Sequence, residues 1–113
     1  MRSPYGTQYL ALQSYLACVT TLEQTLGNIP VNTNLFLEIE VTFRSGYSCP
    51  QTTVYFNGVV AVTPATITAG TVVDSWRKIT AVVTTTVANP VLKFQVYNPT
   101  DATLFLTAVR LYQ

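Results

Sequence analysis

An antiparallel all-β sandwich is the fold class this sequence predicts, and three observations predict it. Thr, Val and Tyr are abundant, apolar and polar residues alternate along several runs, and Gly, Pro and Asn separate those runs at short intervals. A chain of 113 residues makes one domain over 1–113 and buries a single core.

The stretch "SPYGTQYLALQS" (3–14) is a Pro-Tyr-Gly turn followed by strict alternation. It predicts a first strand over 7–13, with Leu10 and Leu12 toward the core and Tyr9, Ala11 and Gln13 on the other side. A second strand is expected over 18–26. Residues 8–26 hold several good helix formers, but Leu10, Leu12, Leu16, Leu22 and Leu26 keep no steady helical stripe, and Val19-Thr20-Thr21 favours extended chain. The clearest alternation lies at 34–44, "NLFLEIEVTFR". There Leu35, Leu37, Ile39, Val41 and Phe43 point inward, and Phe36, Glu38, Glu40, Thr42 and Arg44 outward.

Strands at 52–57 and 59–63 flank Asn57-Gly58, the favoured pair of a type I′ hairpin turn. Further strands are expected at 66–73 and 76–86. "VLKFQVYN" (91–98) repeats the one-sided pattern, with Leu92, Phe94 and Val96 inward and Lys93, Gln95 and Tyr97 outward. A last strand spans 103–112. Strands that bury one face only fit two packed antiparallel sheets better than a doubly covered parallel one.

Composition narrows function. Six basic and five acidic residues, a net charge of +1 and no block of like charge leave no basic patch to neutralise phosphates, so nucleic acid is not an expected partner. No apolar run approaches the roughly 18 residues of a membrane span, so no membrane insertion is expected. The start, Met1-Arg2-Ser3-Pro4-Tyr5-Gly6, shows no signal peptide. Without His, and with Cys18 and Cys49 as the only cysteines, a four-ligand zinc site cannot form within one chain. The two cysteines fit a disulfide, two free thiols or contacts between chains equally well.

Enzymatic chemistry is poorly served. Glu38 and Glu40 share a strand face with Cα atoms roughly 7 Å apart, a permissive spacing for an inverting glycosidase. Neighbours on one face point in parallel, however, whereas a glycosidase places its acids on opposite sides of the sugar. No Ser-His-Asp or Cys-His pair exists without His. No catalytic residue is assigned.

An immunoglobulin-type sandwich would show Cys, Trp and Cys in that order, but Trp76 follows both cysteines. Another order of motifs stands out: "YGTQYLALQS", "LEQTL" at 22–26, "LFLEIEVTFR", "VYFNG", "SWRKITAVV", "LKFQVYN" and a closing "TLFLTAVRLY". Over almost the whole chain this order resembles the carbohydrate-binding-module-like jelly rolls of the galactose-binding-like group. The resemblance implies a jelly-roll sandwich that binds glycans without catalysis. It also implies a core-edge packing role for Trp76, which opens a late strand. Where relatives close on Asp-Asp-Val or Asp-Asn-Val, this chain has Thr107-Ala108-Val109. A structural calcium ion would then lean on backbone carbonyls and Asp101, because Thr107 brings no carboxylate. No cofactor is therefore expected.

A sugar-binding face needs rings to stack on a pyranose, with amides and carboxylates to bond its hydroxyls. Tyr9, Phe36, Tyr55 and Tyr97 fall on outer faces beside Gln13, Glu38, Glu40 and Gln95, and these eight are the expected ligand-binding residues. Tyr and cross-strand aromatic pairs also stabilise sheets that bind nothing. The loops Arg44-Ser45-Gly46-Tyr47 and Asn98-Pro99-Thr100-Asp101 are further candidates. A second function class is a structural assembly subunit, such as a virion or filament component, whose outer strands meet identical copies in a homo-oligomer. Either class places the chain outside cells or on a particle surface.

Overall fold

The structure, a computed structural model, describes residues 9–113. The Pro-Tyr-Gly turn and the first two residues of the expected first strand lie outside the described residues. The rest of the chain forms eight strands and one short helix: β1 (Leu10–Ser14), β2 (Thr20–Thr25), β3 (Asn34–Phe43), β4 (Gln51–Phe56), β5 (Val59–Val62), α1 (Pro64–Gly70), β6 (Arg77–Thr84), β7 (Val91–Tyr97) and β8 (Ala102–Tyr112). No described helix is long and apolar enough to cross a membrane.

The strands build two four-stranded antiparallel sheets, ordered β1-β8-β3-β6 and β2-β7-β4-β5. Only the β4–β5 connection stays within a sheet, and every other one crosses between the two. This is the wiring of a jelly roll. Asn57 and Gly58 make the exception feasible, since both adopt the positive φ (47° and 81°) that a type I′ turn demands.

The core lies between the sheets. Leu35, Leu37, Ile39 and Val41 of β3 pack with Ile79 and Val83 of β6 and with Leu104 and Leu106 of β8. Val54, Phe56, Leu92, Phe94 and Val96 meet them from the second sheet. Each such side chain contributes about 1.5–3 kcal/mol when fully buried, so the inward set of β3 dominates the packing.

Two expectations fail. The strand expected over 66–73 is instead mostly helix α1. Its Thr and Ile content favours extended chain, but the Thr63-Pro64 start overrides it. Thr63 caps the helix by accepting the Thr66 N–H at 3.2 Å, and Pro64 occupies its first turn. Ile67, fully buried, anchors the helix to the core. Arg77 closes its other end by donating to the carbonyls of Thr66 and Ile67 at 2.6 and 3.2 Å. That guanidinium passes so near Gly70 that a Cβ there would stand 2.9 Å from its carbon.

Leu10 is the second failure. It points to the inner side but remains 51% exposed, because it stands at the edge of the sandwich, where a cleft of about 320 Å³ opens between the sheets. The outer side of β3 adds a feature that alternation does not give. Glu38, Glu40 and Thr42 face away from the core as expected, yet they are only 6%, 8% and 0% exposed. Thr42 Oγ1 donates to the Val72 carbonyl at 2.6 Å, so the segment after α1 reaches over this face. Long side chains from β6 and β8, Lys78 and Arg110, reach Glu38.

Candidate functional site

The outer face of the β1-β8-β3-β6 sheet gains its chemistry from an irregularity in β8. Glu40 pairs with Thr107 but Glu38 pairs with Arg110, so Ala108 and Val109 stand against the single residue Ile39. Ala108 adopts a φ of 51°, in the left-handed region. This is a β-bulge, and it reverses the phase of the strand beyond it. Leu104 and Leu106 point inward before the bulge and Leu111 packs on the core after it. Arg110 and Tyr112 therefore emerge on the outer face, opposite Glu38 and Phe36.

Glu38 is the hub of this half of the face. Arg110 Nη2 donates to its Oε1, Lys78 Nζ lies 3.5 Å from the same oxygen, and Tyr112 Oη donates to Oε2 at 3.1 Å. The Arg110 hydrogen bond holds the Glu38 carboxyl below the usual glutamate range, against the opposing effect of burial, and the Tyr112 bond adds to it. That same bond raises the Tyr112 hydroxyl above its ordinary value. The Tyr112 ring stands 5.7 Å from the Phe36 ring, and both residues are 43% exposed. A carboxyl held ionised beside a parallel neighbour is unsuited to general-acid work.

Glu40 sits one pleat further along the same face, between Lys78 and Thr107 in register. Its Oε2 is buried without a hydrogen-bond partner among the described residues, an orphan that costs about 1–3 kcal/mol. Beyond it the face turns aromatic. The Tyr9 ring meets Phe105 and Trp76 edge-on, with centroids 5.0 and 5.8 Å apart. Such pairs contribute about 0.5–1.5 kcal/mol beyond the area they bury. Trp76 is half-buried, just ahead of β6.

The two candidate loops meet at the end of this sheet. Asp101 Oδ1 accepts from Gln13 Nε2 at 2.8 Å, and Asp101 Oδ2 lies 3.5 Å from Arg44 Nη1. Arg44 in turn lies 3.9 Å from the Tyr47 ring centroid and donates to its hydroxyl at 3.1 Å. Asp101, the one side-chain carboxylate on which a calcium site would lean, is thus engaged through both oxygens. No group of three or more metal-ligating side chains occurs among the described residues. Cys18 and Cys49 are free thiols, and burial raises the Cys49 thiol.

The eight expected ligand residues divide between two faces. Tyr9, Gln13, Phe36, Glu38 and Glu40 share the outer face just described. Tyr55, Gln95 and Tyr97 lie on the outer face of the other sheet, on the opposite side of the sandwich. There Lys93 sits over the Tyr55 ring at 4.6 Å, and Gln95 and Tyr97 pair with Thr53 and Gln51. Arg110, Tyr112, Lys78 and Phe105 were not expected at a site. The out-of-phase step from Leu106 to Leu111 is the sequence signal for the first two.

The fold is that of an all-β sandwich, and it has a counterpart among solved structures. The chain is similar to the EclA C-terminal domain, described as a sugar-binding protein, with a TM-score of 0.68 and 12% identity over 98% of this chain and 88% of that one. At that identity the likeness speaks for the fold. No protein-family model matches the sequence, and no curated protein matches it.

Proposed function

We propose that the chain is a non-catalytic glycan-binding module of the galactose-binding-like kind, and that the outer face of the β1-β8-β3-β6 sheet is its binding surface. One observation carries the reading: a preorganised cluster of Glu38, Arg110, Lys78 and Tyr112 beside two half-exposed rings, Phe36 and Tyr112. Rings stack on the apolar side of a pyranose, and fixed charged donors bond its hydroxyls without reordering. The sandwich likeness to a sugar-binding domain supports the same reading. The module acts where glycans are met, outside a cell or on a particle surface.

A glycan array followed by NMR titration of the best binder tests it. Shifts should centre on Phe36 and Tyr112, and Phe36→Ala should cut affinity about tenfold, the worth of one good ring contact. Tyr97→Ala, on the other face, should leave binding unchanged. The reverse pattern would move the site, and an empty array would remove the function.

A second reading, assembly with copies of itself, draws on a different surface. Edge strands β5 and β6 expose Val59, Val60 and Val82 to 70%, 48% and 62% around an apolar cleft of about 280 Å³. Unpaired apolar edges invite pairing. Native mass separates the two readings: a monomer speaks for the module, a large symmetric oligomer for assembly.

A further inference from the structure

Charges on the candidate face are sorted by depth. Glu38 and Glu40 are 6% and 8% exposed, whereas the side chains of Lys78 and Arg110 are 51% and 55% exposed. Both acids belong to β3, and the cations reach Glu38 from β6 on one side and β8 on the other. What solvent meets between the Phe36 and Tyr112 rings and the Tyr9 cluster is therefore an ammonium and a guanidinium, with their counter-charges beneath.

The buried acid also positions the cations. Glu38 ties one guanidinium nitrogen and one ammonium to a single point, so neither long side chain must be ordered when a ligand arrives. Lys78 carries three donors, and Glu38 Oε1 is its ion-pair partner. The other sheet offers the opposite arrangement. Its cation, Lys93, is laid over the Tyr55 ring, and its acid, Glu23, is exposed.

Resting on the glycan-binding reading above, we propose that this face recognises an acidic saccharide: a sugar whose carboxylate pairs with Lys78 and Arg110 while its ring packs on Phe36 and Tyr112. The two acids and two bases of the face cancel formally, so the preference comes from contact between carboxylate and donors rather than from a long-range field. A neutral sugar would gain the ring contacts but bring no second counter-charge to Lys78 and Arg110.

An array that pairs uronic- and sialic-acid oligosaccharides with the same compounds after reduction of each carboxyl to an alcohol tests the proposal. The acidic member should bind about tenfold more tightly, the ratio expected of one charge-assisted contact. Lys78→Gln replaces an exposed side chain and keeps the fold, as circular dichroism would verify, and it should reduce the ratio to about twofold. Arg110→Lys, which retains a cation for Glu38, should lower it less. Equal binding of acidic and reduced members would overturn the acidic class and leave the glycan-binding reading in place. An acidic preference untouched by Lys78→Gln and Arg110→Lys would overturn the site. Equal binding of a tri-glutamate peptide would show that only the carboxylate is read and overturn the saccharide. Binding of no glycan at all would sink both readings.

Discussion

The two outer faces of the sandwich use the same residue types and differ in how firmly they hold them. On the β2-β7-β4-β5 face, Lys93, Gln95 and Tyr97 alternate regularly with core residues and stay half-exposed. On the β1-β8-β3-β6 face, Glu38, Glu40 and Thr42 are buried on the side away from the core. Arg110 and Lys78 engage Glu38, and the segment after α1 engages Thr42. Polar residues at alternating positions thus make a solvated surface in one sheet and a fixed polar cluster in the other. Tyr, Gln and Glu on a strand do not distinguish these outcomes; the bulge and the crossing segment do.

The most severe way to break the contrast is Ala108→Val. A β-branched residue resists the left-handed φ of 51° that the bulge requires, and without the bulge unbroken alternation from Thr107 turns Arg110 and Tyr112 toward the core. An unpaired buried charge costs about 3–5 kcal/mol, so cooperative unfolding followed by circular dichroism should collapse or shift far downward. A smaller effect sharpens it. Thr42→Val leaves the Val72 carbonyl without its donor and should cost about 1–2 kcal/mol. Thr53→Val, on the other face, should stay within about 0.5 kcal/mol. Denaturant midpoints for the pair measure the difference directly.

Glu40→Gln moves stability the other way. It removes a buried charge whose Oε2 lacks a partner, and a gain of about 1 kcal/mol should raise Tm by about 4–8 °C. Glu23→Gln, at an exposed site, should leave Tm almost unchanged.

Acid titration yields the finest comparison. The Glu38 carboxyl is lowered in the folded chain, mainly by its Arg110 hydrogen bond. Its contribution is therefore complete above the ordinary glutamate pKa. It shrinks as acid protonates the unfolded chain first, and is lost once pH falls through the lowered folded value. Stability against pH should flatten over that window in Glu38→Gln and keep its wild-type slope in Glu23→Gln.

Much of the architecture was legible in the sequence because one-sided burial leaves a period of two. The inward sets of β3 and β7 and the Asn57-Gly58 turn follow from that alone. Helix α1 was not, because the β-branched run at 66–73 masked a cap and a proline that favour a helix. The face was legible only in part. Phe36, Glu38 and Glu40 follow from alternation, whereas Arg110 and Tyr112 require the bulge, and Lys78 becomes a site residue only through its pairing with β3. That Tyr55, Gln95 and Tyr97 lie on the other outer face was not legible for a plainer reason: alternation tells inside from outside but not which sheet a strand joins.

The wiring between the sheets also governs how the chain comes into being. Among the described strands only β4 and β5 pair across a tight turn, while β1 pairs with β8, joining Leu10 to Leu106. Local pairing can therefore nucleate little, and folding waits on distant partners. On the ribosome the wait is longer still. β8 sits between β1 and β3 and is made after every other described strand, so the first sheet and its outer face cannot close until β8 has emerged.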